Sequence, residues 1–138
     1  MNTWLVGQYR YTIDQYSWEI PEGGCPVGTS PLDTAKRELL EETGISAENW
    51  DHILDFHLSN SVTDEFGKAY IARDLSYGRA QPEETEQLQV RKLPFYEALE
   101  MVYRGEITDS LSIMALLRAK IWLGEEGTMR TEGVQHRS

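Results

Sequence analysis

The chain has a single cysteine, Cys25, among its 138 residues, so no internal disulfide can staple it, which fits a reducing compartment. Basic residues are scarce: 13 Lys and Arg stand against 23 Asp and Glu, a formal net charge of −10. That balance argues against nucleic acid or an anionic membrane as partner, since both need a basic footprint. It leaves room for a small phosphorylated ligand, because metal ions reverse a local negative field. No apolar run approaches the roughly 20 residues of a membrane span. Met1-Asn2-Thr3-Trp4 offers neither a basic leader nor an apolar stretch, so no signal peptide is expected. The reading is a soluble, cytoplasmic protein. With 40 % hydrophobic and 26 % charged residues, 138 residues suffice for one core and are too few for two.

What the chain does contain is a regular succession of elements. Trp4 to Tyr11 alternates and is rich in aromatic and branched side chains, which predicts a strand; Thr12 to Gln15 turns, and Tyr16 to Ile20 returns as a second strand. Ser30-Pro31-Leu32-Asp33 is a helix start, with serine as N-cap and proline in the first turn, and Gly44 supplies the left-handed stop. Leu58 and the alternating Leu54 and Phe56 predict a half-buried strand, with Lys68 to Leu75 as its hairpin partner after an Asp64-Glu65-Phe66-Gly67 turn. Residues 78–86 read as a polar, acidic loop, and Leu88 with Val90 marks a further strand. Pro94 opens an amphipathic helix. Asp109 to Leu123 is a second helix, apolar on most faces and expected to be buried or in an interface. Residues 1–123 form one domain on this reading, and the polar, glycine-bearing segment 124–138 a disordered tail.

The most informative stretch is Arg37-Glu38-Leu39-Leu40-Glu41-Glu42-Thr43-Gly44-Ile45. At about 100° per residue, Glu38, Glu41 and Glu42 share one arc beside the apolar stripe of Leu32, Ala35 and Leu39. Like charges so close destabilise a helix by a few tenths of a kcal/mol per pair. A cation offsets that cost; a plain solvated acidic face is the alternative. Just upstream, Trp18-Glu19-Ile20-Pro21-Glu22-Gly23-Gly24 is a short strand ending in a glycine turn. Strand, turn and carboxylate helix together suggest a place where divalent metal meets phosphate.

From Trp18 to Ile45 the chain resembles the Nudix hydrolase signature: Gly23 takes its glycine position, and Arg37 through Ile45 match its second half in full. One position departs, Thr29 standing where the family has its first glutamate. Gln8-Tyr9-Arg10-Tyr11, and Glu97 to Met101 with Gly105 to Ser112, are similar to the ADP-ribose pyrophosphatase branch. The resemblance, running over roughly residues 4–123, implies an α/β fold: an α/β/α sandwich around a mixed β-sheet, here expected to lack the usual N-terminal strand or strands. It also implies hydrolysis of a nucleoside diphosphate derivative, ADP-ribose or a related sugar nucleotide, with Mg2+ or Mn2+.

By the same resemblance Glu38, Glu41 and Glu42 are metal ligands, with the Glu22 backbone carbonyl as a further one and Arg37 as structural support that Thr29 leaves loosened. Hard cations take such oxygen ligands. A general base is implied in the acidic loop, either Glu84 or Glu86. Arg10, Glu19 and Gly23 are expected at the substrate; for Arg10 an ordinary ion pair with Glu19 stands equally open. Tyr9, Tyr11, Tyr16 and Trp18 are candidates for base stacking or for core. An uncovered sheet edge and the family both suggest a homodimer. Two other functions remain open: a non-catalytic sensor of such ligands, and sanitation of nucleoside triphosphates.

Overall fold

Eight elements follow in the order ββαβββαα in the computed structural model of the chain, which describes residues 1–25, 28–57, 66–78 and 88–131. Strands β1 (Asn2–Arg10) and β2 (Gln15–Glu19) form a hairpin, closed by a turn in which Asp14 takes a positive φ of 52°. Helix α1 spans Pro31–Thr43. The long strands β3 (Ile45–His57) and β4 (Phe66–Tyr77) come next, then β5 (Gln89–Pro94), α2 (Phe95–Tyr103) and α3 (Ser110–Thr131).

Strand β1 is the centre of a three-stranded sheet in the order β2-β1-β5, with Val6 facing Glu19 on one side and Val90 on the other. β3 and β4 form a second, two-stranded sheet. The mixed α/β architecture expected from the sequence is present, with the strands of the described residues paired antiparallel in two sheets.

Helix α1 begins and ends where local chemistry dictates. The Ser30 hydroxyl accepts from the Asp33 N–H, Pro31 opens the first turn, and Gly44 closes the helix at φ 76° with its N–H donating to the Leu40 carbonyl. Two elements run longer than expected. β3 starts directly after Gly44, nine residues before Leu54; a register shift between His52 and Leu54 resets its inward–outward phase and hides the first half from an alternation pattern. Phe66 and Gly67, expected in the turn, already belong to β4.

Helix α3 corrects the expectation of a tail from residue 124: it continues to Thr131, and Glu126 is buried. There Arg73 of β4 binds both Glu126 oxygens (2.9 and 3.1 Å) and Asp51 of β3 (2.8 Å), with its guanidinium 5.4 Å from the Trp122 ring centre. This cross-element clasp ties the last turns of the helix to β3 and β4. Nor is α3 apolar all round in its setting. Ser112, Ala115, Leu116, Ala119 and Glu126 are buried at helical spacing, while Met114, Lys120 and Ile121 face solvent.

The core has two parts that meet on α3. One gathers Leu5, Leu93, Ala98, Leu99, Met101, Ile107 and Leu116; the other Ile53, Ala69, Ala115 and Ala119. Ile20 and Phe95 pack against both. Ile20 thus ties the end of the first hairpin, and the glycine turn behind it, to the middle of the domain. Among the described residues no helix is long and apolar enough to cross a membrane.

Candidate active site

The turn at residues 20–24 is held against α1 by two contacts. The Glu22 N–H donates to Glu42 Oε2 at 3.2 Å, and the Glu42 side chain is buried. Gly23 makes room for Glu38: a Cβ on Gly23 would lie 2.3 Å from the Glu38 carboxyl carbon. The third box glutamate, Glu41, is more open and lies 3.8 Å from Arg37 Nε; Arg37 also reaches Glu38 Oε1 at 3.5 Å. Both distances are long for charge-assisted bonds, and the half-exposed Arg37 is loosely held, in keeping with Thr29 at the departing position. Thr29 lies beside Cys25, its hydroxyl 3.3 Å from the sulfur. Hydrogen bonds from Thr29 and then Thr34 draw the Cys25 thiol below its usual range.

Helix geometry therefore brings Glu38 and Glu42 to the glycine turn, as the sequence suggests. It does not bring the three box carboxylates to one point. Among the described residues, the set of three acidic side chains whose oxygens all lie within 4.8 Å of one another is Glu19, Glu22 and Asp109. The Glu22 side chain belongs to that set, while its backbone N–H meets the box at Glu42. Burial, reinforced by the Asp109 and Glu19 carboxylates and opposed by Arg10, pushes the Glu22 carboxyl up to about 9. Its Oε2 is buried with no hydrogen-bond partner among the described residues.

A titration experiment follows from this. The native chain keeps a Glu22 proton that the unfolded chain releases near the usual value of 4.5, so in metal-free buffer stability falls as pH rises from about 5 towards 9. E22Q has no such proton to lose. Its unfolding midpoint, followed by circular dichroism between pH 5 and 9, is expected to decline less than that of the wild type; parallel curves would refute the assignment.

Arg10 makes the ion pair with Glu19: Nε to Oε2 at 2.9 Å and Nη2 to Oε1 at 2.7 Å, a bidentate fork on a side chain that is almost fully buried on the Glu19 side. Glu19 raises the Arg10 guanidinium further above its ordinary value. By count, the fork uses two of five N–H groups, and the Arg10 side chain remains 40 % exposed. Of the aromatic candidates, Trp18 packs on the core, whereas Tyr9, Tyr11 and Tyr16 are exposed. Glu84 and Glu86 lie outside the described residues.

Two residues not anticipated are Asp109 and Ser112, at the start of α3. Asp109 Oδ2 accepts from the Ser112 N–H (3.0 Å) and hydroxyl (2.7 Å), and Ser112 Oγ accepts from the Ile20 N–H (3.0 Å). The signals in the sequence are the branch-like stretch Gly105 to Ser112, which assigns neither residue a role, and the spacing of an aspartate three residues ahead of a serine at a helix start.

A cavity of about 520 Å³ opens beside the turn. Gly23 and Glu38 line it together with Trp4, Phe56, Ile71, Tyr77 and Lys92.

A model of the NUDIX domain matches residues 2–112. The chain belongs to the Nudix family. The ADP-ribose pyrophosphatase of Mycobacterium tuberculosis is 36 % identical over 117 residues, 82 % of this chain and 56 % of that protein. The methanol dehydrogenase activator of Bacillus methanolicus is 34 % identical over 114 residues, 81 % of this chain and 62 % of that protein. The Nudix chain thus spans little more than half of these relatives' length. A crystal structure of an ADP compounds hydrolase superposes with a TM-score of 0.80 at 22 % identity, covering 90 % of this chain and 67 % of the other, and shares its fold.

Proposed function

We propose that this Nudix chain hydrolyses the pyrophosphate bond of a nucleoside diphosphate derivative, ADP-ribose or a related sugar nucleotide, giving two monophosphates, with Mg2+ or Mn2+ as cofactor. The observation that carries the reading is the cradle at Gly23, where the missing side chain admits the Glu38 carboxyl and the adjacent N–H fixes Glu42. The donor set is all oxygen, which suits a hard divalent ion. The M. tuberculosis relative's name supports the substrate class.

Glu38, Glu42 and the Glu22 carbonyl would hold the ion at the turn, with Glu41 as the more open ligand that would have to move in; when bound, the ion would neutralise diphosphate charge and acidify a water. Arg37 orients Glu41 and Glu38. Arg10, braced by Glu19, presents its remaining N–H groups to a phosphate oxygen. The base is Glu84 or Glu86, taking the proton from water as its oxygen bonds to phosphorus and the bridging P–O bond breaks. The leaving phosphate keeps the bridging electrons. The cavity beside Gly23 is of a size usual for small-molecule sites, roughly 300–1,000 Å³, and receives the substrate's organic part.

The test is incubation of purified protein with ADP-ribose and a panel of sugar nucleotides, with and without Mg2+, followed by chromatography. Magnesium-dependent release of AMP or its counterpart is expected; binding without release would favour a ligand sensor, a reading to which Thr29 lends support, and release from triphosphates alone would favour sanitation. We further propose a homodimer. Among the described residues β4 pairs with β3 on one side only, and a second copy would cover its other edge. Light scattering should give twice the 15.8 kDa chain mass at micromolar concentration; a monomer would overturn this.

A further inference from the structure

The glycine turn is clamped from two sides, and only one of them belongs to the box. From α1, Glu42 holds the Glu22 N–H. From α3, Ser112 holds the Ile20 N–H, a contact that spans 92 residues of sequence. Ser112 is fully buried. A serine hydroxyl has one proton to give, and here it goes to Asp109 Oδ2 at 2.7 Å, which turns the lone pairs of Ser112 towards Ile20. Asp109 is fixed in turn, because the same oxygen accepts the Ser112 N–H. The chain of bonds therefore runs from the start of α3, through the Ser112 hydroxyl, into the backbone of the turn. Two residues further on, at Glu22, that backbone meets Glu42, and at the next residue, Gly23, the space filled by Glu38.

We propose that Ser112 is a positioning residue of the reaction: its hydroxyl, aimed by Asp109, sets the distance between the Ile20–Gly23 turn and the carboxylates of α1. This rests on the metal-dependent reading above. Groups that orient ligands from behind typically change metal affinity or activity by about 10- to 100-fold when removed.

The test is titration calorimetry with Mn2+ on the full chain, comparing wild type, S112A and A119G, with kcat and KM for ADP-ribose measured alongside. S112A removes one oxygen and adds no volume. It is expected to bind Mn2+ about 10-fold or more weakly and to lose kcat more than it raises KM. A119G loosens the same helix two turns further on, away from the turn, and its Mn2+ affinity should stay within about twofold of wild type while its unfolding midpoint drops. Wild-type affinity in S112A would overturn the proposal, as would equal weakening in both variants, the mark of a merely structural role. Should S112A not fold, S112C, close to serine in size but only a weak acceptor, reads the same linkage. A tenfold loss there supports the proposal and unchanged affinity overturns it. Failure of the wild type itself to bind Mn2+ would instead bring down the metal-dependent reading, and the two failures are told apart by that one titration.

Discussion

Replacing Glu42 by Gln is expected to lower turnover by at least about 10²-fold, more than the loss usual for groups that only orient a metal ligand, while leaving the fold as stable or more so. The two halves of that expectation have one cause. Glu41 and Glu42 sit in the last turn of α1, which carries no basic residue. There the helix dipole opposes negative charge, at a cost of about 0.3–1 kcal/mol per carboxylate. Glu38, one turn back from Glu42, adds like-charge repulsion. Glutamine keeps the shape of Glu42 and an oxygen to accept the Glu22 N–H, so the clamp on the turn survives while the charge goes. Without a cation, losing the charge relieves repulsion; with one, it removes a ligand. Thermal unfolding in metal-free buffer and a steady-state assay with Mg2+ therefore move in opposite directions. Unchanged turnover would remove Glu42 from the site.

How far the fold can be read ahead depends on how local its causes are. Ser30, Pro31 and Gly44 define α1 through contacts within four residues, so its bounds follow from sequence. Helical spacing likewise places Glu38 and Glu42 on one side of α1. The first half of β3 is hidden because the irregularity at His52 and Leu54 breaks the period of two on which strand reading relies. The last turns of α3 depend on Arg73 reaching Glu126 across 53 residues, which no local pattern announces. The same holds at the site. That Gly23 precedes the carboxylate helix can be seen in the chain; that Ser112 anchors the turn cannot, since the partners are brought together only by the packing of Ile20 on α3. The direction of the Glu22 side chain is also a tertiary matter, fixed by where Glu19, Arg10 and Asp109 meet.

Two adjacent glycines give the sharpest contrast in the molecule. G23A is expected to lose about 10²-fold in kcat, the size of effect that a displacement near 1 Å produces at a reacting centre, whereas G24A should stay within twofold of wild type. Neither glycine has a positive φ, so alanine strains neither backbone. The difference lies in what each new Cβ meets. At Gly24 nothing among the described residues lies within 4 Å; at Gly23 the Glu38 carboxyl carbon, Cγ and Oε1 lie at 2.3, 2.6 and 2.6 Å. Those atoms are the far end of a flexible side chain, so the fold gives way there and nowhere else: Glu38 swings out and the protein stays folded. Alanine also narrows the unfolded ensemble, adding about 0.4–1 kcal/mol of stability where its conformation is compatible. G24A should thus be slightly stabilised and fully active. G23A should be nearly as stable as wild type, with weakened Mn2+ binding and turnover. Equal activity in the two variants would mean that the Glu38 carboxylate is not needed where the turn receives it, and the cradle would lose its meaning as a metal site.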